Sequence, residues 1–177
     1  EDEIAFAWGE AKDQWRIFQR RLERIKETDT ATSETREYWA IPLLKLLGYE
    51  PVYQAKAEIV DSQTFAISYR SNPSYLPTFE ININEEHSLS SPQLIDNTES
   101  PNQEIDPSPP IHVIGCRLSL DKKPPSGNPR LSAHALLQEY LNKTEHLWGI
   151  VTNGLSWRLL RDCSLMTRLS YIEFDLE

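Results

Sequence analysis

Between Glu3 and Lys26 the apolar residues Ile4, Ala7, Trp8, Ala11, Trp15, Phe18, Leu22 and Ile25 recur at steps of three and four. That spacing gathers side chains on one face of a helix. Arg16, Arg20, Arg21 and Arg24 occupy much of the remaining surface and read as a solvated face. After a polar break from Glu27 to Ser33, TREYWAIPLLKLLGYE predicts a second helix. Gly48 is placed to end it in a left-handed cap, and Pro42 to bend or bound it. The period then shortens to that of a strand. VYQAKAEIV and TFAISYR flank Asp61-Ser62 and predict a β-hairpin within Pro51 to Arg70.

From Ser71 to Pro110 the chain is rich in Ser, Pro, Asn and acid, with one short strand expected at FEINI, Phe79 to Ile83. The part from about 85 to 110 holds too little apolar surface to pack and reads as an insertion. IHVIGCRLSL is next, an unbroken apolar run of the kind a central strand buried on both faces requires, and it ends at the turn DKKPPSGNPR. Ser132 is placed to cap a helix whose Leu136, Leu137, Tyr140 and Leu141 share a face, with Gln138 exposed. LWGIVTNG, LSWRLLRD and RLSYIEFDLE predict three strands, the first two joined by a tight turn at Asn153-Gly154. The sum is one α/β domain, a mixed β-sheet flanked by helices.

Composition adjusts this picture in three places. A hydrophobic share of 39% with five tryptophans suits a folded globule, while 12 prolines and a mean hydropathy of -0.53 assign part of the chain to loops. The chain opens at Glu1 without a methionine and stops within a strand-like pattern, so we read it as a domain of a longer protein. It carries no charged-then-apolar leader and no apolar run near the ~18 residues that cross a bilayer, which predicts a soluble, cytoplasmic protein with no membrane partner. Net charge is -9, but seven acids and no bases lie between Ser71 and Pro110. The rest of the chain balances 20 acids against 18 bases, close to neutral.

Candidate chemistry is sparse. Cys116 and Cys163 stand far apart and read as small buried apolar residues. His87, His112, His134 and His146 show no HxH or HExxH spacing, so no histidine-built metal site is expected. Phosphate-cradling glycine loops, the GxSxG nucleophile turn and the motifs of a methyltransferase do not occur.

Three phrases in order carry more: LLKLLGYE closing a helix, VIGCRLSLD after a hairpin, and EHLWGIVTNGLSWRLLRD. The arrangement resembles the amino-terminal nuclease domains of type I restriction subunits, members of the PD-(D/E)XK superfamily. LSAHALLQEYLNKTEHLWGIVTNGLSWRLLRD is similar to the region ahead of the methylase domain in fused methyltransferases of the class IIG, DISARM or BREX kind. Gln138-Glu139-Tyr140 partly resembles the Gln and Tyr of a downstream motif in the type I relatives, at tighter spacing. The resemblance covers most of the chain apart from the acidic insertion. It implies a restriction-endonuclease-like fold, double-stranded DNA as partner, and a methylase domain on the same chain or a partner subunit. It also implies S-adenosylmethionine as cofactor of the parent protein.

Superfamily chemistry needs an aspartate on the hairpin strand and Glu-x-Lys on the next, because two carboxylates hold Mg²⁺ and the lysine helps position the attacking water. In this chain Ser68 falls at the first place and Gly115-Cys116-Arg117 at the second. The expectation is therefore a domain that binds but does not cut. The alternative is an active Mg²⁺-dependent endonuclease whose displaced carboxylates are Asp61 or Glu58 with Asp121. A third reading is a protein-docking module, which the net acidity favours. If DNA is the partner, Arg70, Arg117, Lys122, Lys123, Arg130 and Arg158, at or near strand ends, are the residues expected to meet phosphates without reading sequence.

Overall fold

A computed structural model describes residues 2–71, 108–126, 130–163 and 170–176. Helix α1 (Asp2–Leu22) forms where the first apolar stripe predicts it and stops four residues short of Lys26. Tighter turns then take over, with Arg24 N–H donating to the Arg21 carbonyl at 3.0 Å. Only the second half of the stripe is covered, by a ring cluster in which Trp15 and Trp39 centroids lie 4.9 Å apart and Phe18 is fully buried.

The second predicted helix is one helical run in three parts: α2 (Thr32–Thr35), a wider π turn at Arg36–Ala40, and α3 (Ile41–Leu46). Pro42 sits in the first turn of α3, directly after the π turn. Gly48 closes the run at φ +86, the conformation that favours glycine.

Among the described residues eight strands follow: β1 (Pro51–Tyr53), β2 (Glu58–Val60), β3 (Gln63–Phe65), β4 (Tyr69–Ser71), β5 (Pro110–Val113), β6 (Trp148–Thr152), β7 (Ser156–Arg161) and β8 (Tyr171–Asp175). Helix α4 (Ala133–Lys143) joins β5 to β6, and the Ser132 hydroxyl caps it by accepting from Ala135 N–H at 3.2 Å. Six strands form one sheet in the order β1-β4-β5-β6-β7-β8. Among the described strands of this sheet only β5 and β6 run parallel, as a helical crossover between them allows; the other neighbouring pairs are antiparallel. The architecture is a mixed α/β sheet with helices.

The hairpin at Asp61-Ser62 forms as β2 and β3, and both turn residues take positive φ, 48 and 65, as a two-residue connection requires. It is shorter than the sequence implies. The outer parts of the two phrases leave it and pair with each other in the main sheet, with Val52 opposite Arg70.

Ala40, Leu44, Tyr69, Ile111, Val113, Ile150 and Trp157 pack between the α2–α3 run and one face of the sheet. Phe65, Leu137, Tyr140, Leu141, Val151 and Leu160 pack between α4, the hairpin and the other face. The run IHVIGCRLSL is a strand only to Val113. Ile114 still donates its N–H to the Thr152 carbonyl of β6 at 3.0 Å; after it the chain turns out of the sheet and under the loop before α2, where Cys116 N–H donates to the buried Thr35 hydroxyl at 3.0 Å. Apolar content reflects burial, and here the burying partner changes mid-run. The boundary of the insertion also moves, because Ser108 is buried and Pro110 already pairs with Arg70 in the sheet. The strand expected at Phe79–Ile83 and most of the insertion lie outside the described residues. Among the described residues no helix is long and apolar enough to cross a membrane.

Candidate functional site

The positions matched to the nuclease carboxylates meet at the carboxyl end of β5. Ser68, just ahead of β4, is buried opposite β5. Its hydroxyl accepts from Val113 N–H at 3.3 Å and lies 3.3 Å from His112 Nδ1. Arg36, from the π turn, reaches in from the helical layer. Its Nε and Nη2 donate to the Val113 carbonyl at 3.2 and 2.9 Å, and Nη2 also donates to Ser68 Oγ at 3.1 Å. The cluster therefore offers a guanidinium, a hydroxyl and a neutral imidazole that largely satisfy one another. Burial drives His112 down to about 4, and the adjacent Arg36 charge adds to the shift.

The second matched position is closed by backbone. A Cβ on Gly115 would overlap the Thr30 carbonyl and lie 2.8 Å from Thr32 Oγ1, so no side chain fits there. Cys116 is buried as a free thiol. Arg117 points the other way, donating to the carbonyls of Lys26, of Asp29 at 3.0 Å and of Leu22 at 3.4 Å, which ties the end of α1 to this loop. A divalent cation does not fit residues of this kind: no carboxylate stands at either position, and Arg36 brings a positive charge to the first.

The carboxylates of the displaced set are held elsewhere. Glu58 pairs with Arg70 Nη2 at 2.6 Å and accepts from the Tyr140 hydroxyl at 2.6 Å. Arg70 also bonds the Tyr140 oxygen and lies 2.6 Å from His146 Nε2. Burial alone would raise the Glu58 carboxyl, but the bonds from Tyr140 and Arg70 outweigh it and hold it below its ordinary range. This group fastens the hairpin to α4. Tyr140→Phe keeps the ring and removes the hydroxyl from between the two charges; we expect a loss of about 1.5 kcal/mol in urea unfolding.

Asp121 grips Arg158 with both oxygens, at 2.6 and 2.8 Å, and Glu173 of β8 takes the Arg158 Nε. The Arg158 bond lowers the Asp121 carboxyl. Arg158 is buried, whereas the side chains of Asp121 and Glu173 are 65% and 39% exposed. Removing the cation therefore leaves acids that water can solvate, and Arg158→Met should cost about 2 kcal/mol rather than the larger sum for a fully buried pair. Arg158→Lys should not restore it, since one ammonium cannot match the planar fork. Asp61 stays at the hairpin turn, away from both groups' bonds. Among the described residues no three His, Cys, Asp or Glu side chains come together as a metal site.

Of the six cations expected at phosphates, Arg70 and Arg158 thus have their charge balanced by carboxylates inside the fold, and Arg117 spends its donors on backbone carbonyls. Lys122, Lys123 and Arg130 are exposed in the loop that leads to α4, with Arg130 Nε donating to the Pro124 carbonyl at 3.0 Å. Tyr140 is core, as its periodicity predicts. Gln138, expected on the surface, is buried, because its amide donates to the Arg161 carbonyl at 2.9 Å and to Asn142 at 3.0 Å. The Asn153-Gly154 turn does more than reverse the chain. Gly154 takes φ +88, a Cβ there would lie 2.8 Å from the Thr35 methyl and 3.1 Å from the Trp39 ring, and its carbonyl accepts from both Trp39 and Trp157 indoles, at 2.6 and 3.0 Å. Arg36 and His112, which fill the centre, carry no sequence signal of their own. Comparison of the chain with family models, with curated proteins and with solved structures finds no match.

Proposed function

We propose that the chain is a noncatalytic, restriction-endonuclease-like module of a restriction-modification or phage-defence methyltransferase. It holds duplex DNA by the backbone so that a methylase, on the same chain or on a partner subunit, works at its target with S-adenosylmethionine. The order of elements supports the fold: a helical run, three antiparallel strands β1-β4-β5, helix α4, then β6 parallel to β5. The single observation that carries the loss of cleavage is the Arg36–Ser68–His112 cluster beside Gly115, where carboxylates and a metal would have to stand.

DNA contact falls to Lys122, Lys123 and Arg130, ahead of the amino end of α4. Three phosphate contacts release about three counterions and give a log–log salt slope near −2.7, so affinity should drop roughly 40-fold between 50 and 200 mM salt. Replacing all three by Glu should remove that slope and leave the circular dichroism spectrum intact. A triple variant that binds duplex as the parent does would show that these residues are not the contact, and a parent that binds no duplex would move the function to docking a protein.

A further inference from the structure

Asn153-Gly154 is the one Asn-Gly pair among the 177 residues of the chain. The turn between β6 and β7 needs both members. Gly154 takes φ +88, and a Cβ there would lie 2.8 Å from the Thr35 methyl, so a side chain is excluded. Asn153 uses its whole amide: Oδ1 accepts from Leu155 and Ser156 N–H at 3.1 and 2.8 Å, and Nδ2 donates to the Leu118 carbonyl at 2.9 Å. Aspartate could make the first two bonds but not the third, since a carboxylate oxygen would face the Leu118 carbonyl with no proton to give.

The pair that builds this turn is also the one most open to attack by its own backbone. The amide carbon of an asparagine lies within ring-closing reach of the next residue's nitrogen, and glycine leaves that nitrogen unshielded and its backbone free to rotate. Closure forms a bond from the Gly154 nitrogen to Asn153 Cγ and breaks the Cγ–Nδ2 bond; the proton on the Gly154 nitrogen leaves with ammonia. Water then opens the succinimide at either carbonyl and yields aspartate or isoaspartate. Water is the only co-reactant.

In the folded chain each reacting group is held. Gly154 N–H donates to Thr152 Oγ1 at 2.8 Å, the Asn153 carbonyl is drawn forward to Leu155 and Ser156, and the nitrogen that must leave is tied to Leu118 in the connection from β5 to α4. Asn153 is 9% exposed, so water reaches it poorly. We propose that Asn153 is a modification site that the fold holds closed and that unfolding opens. Modification then bars the return, because isoaspartate lengthens the backbone of the turn and aspartate loses the bond to Leu118. The Gly154 carbonyl anchors both the Trp39 and Trp157 indoles, so a turn that cannot reform loosens the helical layer and the sheet together. Time spent unfolded thereby becomes irreversible loss. None of this depends on what fills the centre beside β5.

The test keeps the 177-residue chain at mildly alkaline pH in buffer and, in parallel, in urea beyond its unfolding transition, and follows the peptide carrying Asn153 by mass spectrometry. The expected result is conversion of the amide to acid in urea and conversion at least about a hundredfold slower in buffer, because a folded domain opens in roughly 10⁻³ of molecules or fewer. Samples withdrawn from urea over time should regain the native circular dichroism spectrum in step with their share of intact Asn153. Asn153→Asp should unfold at a lower urea midpoint than the parent. Conversion in buffer within about a hundredfold of that in urea would overturn the proposal, as would an Asn153 that stays intact in urea. So would converted chains, or Asn153→Asp, that match the parent's midpoint.

Discussion

Gly115→Ala is expected to destabilise the protein by about 3 kcal/mol, the upper range for forcing extra volume into a packed site. The added carbon overlaps the Thr30 carbonyl, a backbone group that cannot swing aside like the end of a flexible side chain. That backbone is pinned on both sides, by Ala31 N–H on the Asp29 carboxylate at 2.8 Å and by Arg117 on the Asp29 carbonyl at 3.0 Å. Urea unfolding reads the effect as a lower midpoint at unchanged slope. Gly9→Ala is the control: it sits half-buried in α1 with nothing within 4 Å of the added carbon, and should stabilise by up to about 1 kcal/mol. The same crowding predicts that Ser68→Asp, Gly115→Glu and Arg117→Lys together will not create a cleavage centre, because the glutamate has no room to enter it.

The second large effect concerns acid. The His112 imidazole is held near 4 in the folded chain against an ordinary value of 6.5. Between those values the unfolded chain binds the proton and the folded chain does not, so stability rises with pH across the window and falls as pH drops from about 6.5 to 4. The slope approaches 1.4 kcal/mol per pH unit, which makes the whole window worth up to roughly 3 kcal/mol. Glu58 acts below that window: its folded carboxyl is depressed, so its contribution is complete above about 4.5 and disappears as pH falls further. Urea midpoints taken from pH 7 to 4 should therefore decline steadily. His112→Gln, which stays neutral, should reduce the decline above pH 4.5, leaving in place the share of His134, which burial and the Arg158 charge also lower, and the later loss from Glu58. A parent protein equally stable at pH 6.5 and 4.5 would show that His112 is not held neutral by the fold.

How much of this the sequence reveals depends on the range of each interaction. Features set by neighbours in the chain are legible: the Asp61-Ser62 turn, the Ser132 cap, the Asn153-Gly154 turn and the face of α4. The run from Ile111 to Leu120 misleads because hydrophobicity records burial without naming the partner, which changes from the sheet to the loop before α2 after Ile114. The cations at strand ends are legible as cations, but their use is not. Arg70 finds Glu58 12 residues away and Arg158 finds Asp121 37 residues away. Arg36 is the extreme case: it lies mid-helix and its acceptor, the Val113 carbonyl, is 77 residues on. Only the fold brings such groups together. That Ser68 and Gly115 are not carboxylates is visible in the sequence, whereas the Arg36–Ser68–His112 cluster is not.

The central claim, a nuclease-like module that holds duplex DNA without cutting it, is met most directly by incubating a fluorescent duplex with the purified chain at low and moderate salt, with and without Mg²⁺ or Mn²⁺. Binding is read by titration and integrity by a gel of the same samples. The expected result is binding that weakens with salt, is indifferent to the metal, and leaves the duplex intact throughout. Metal-dependent cleavage that disappears on Asp121→Ala or Asp61→Ala would contradict it and assign the chain a working centre built from those carboxylates.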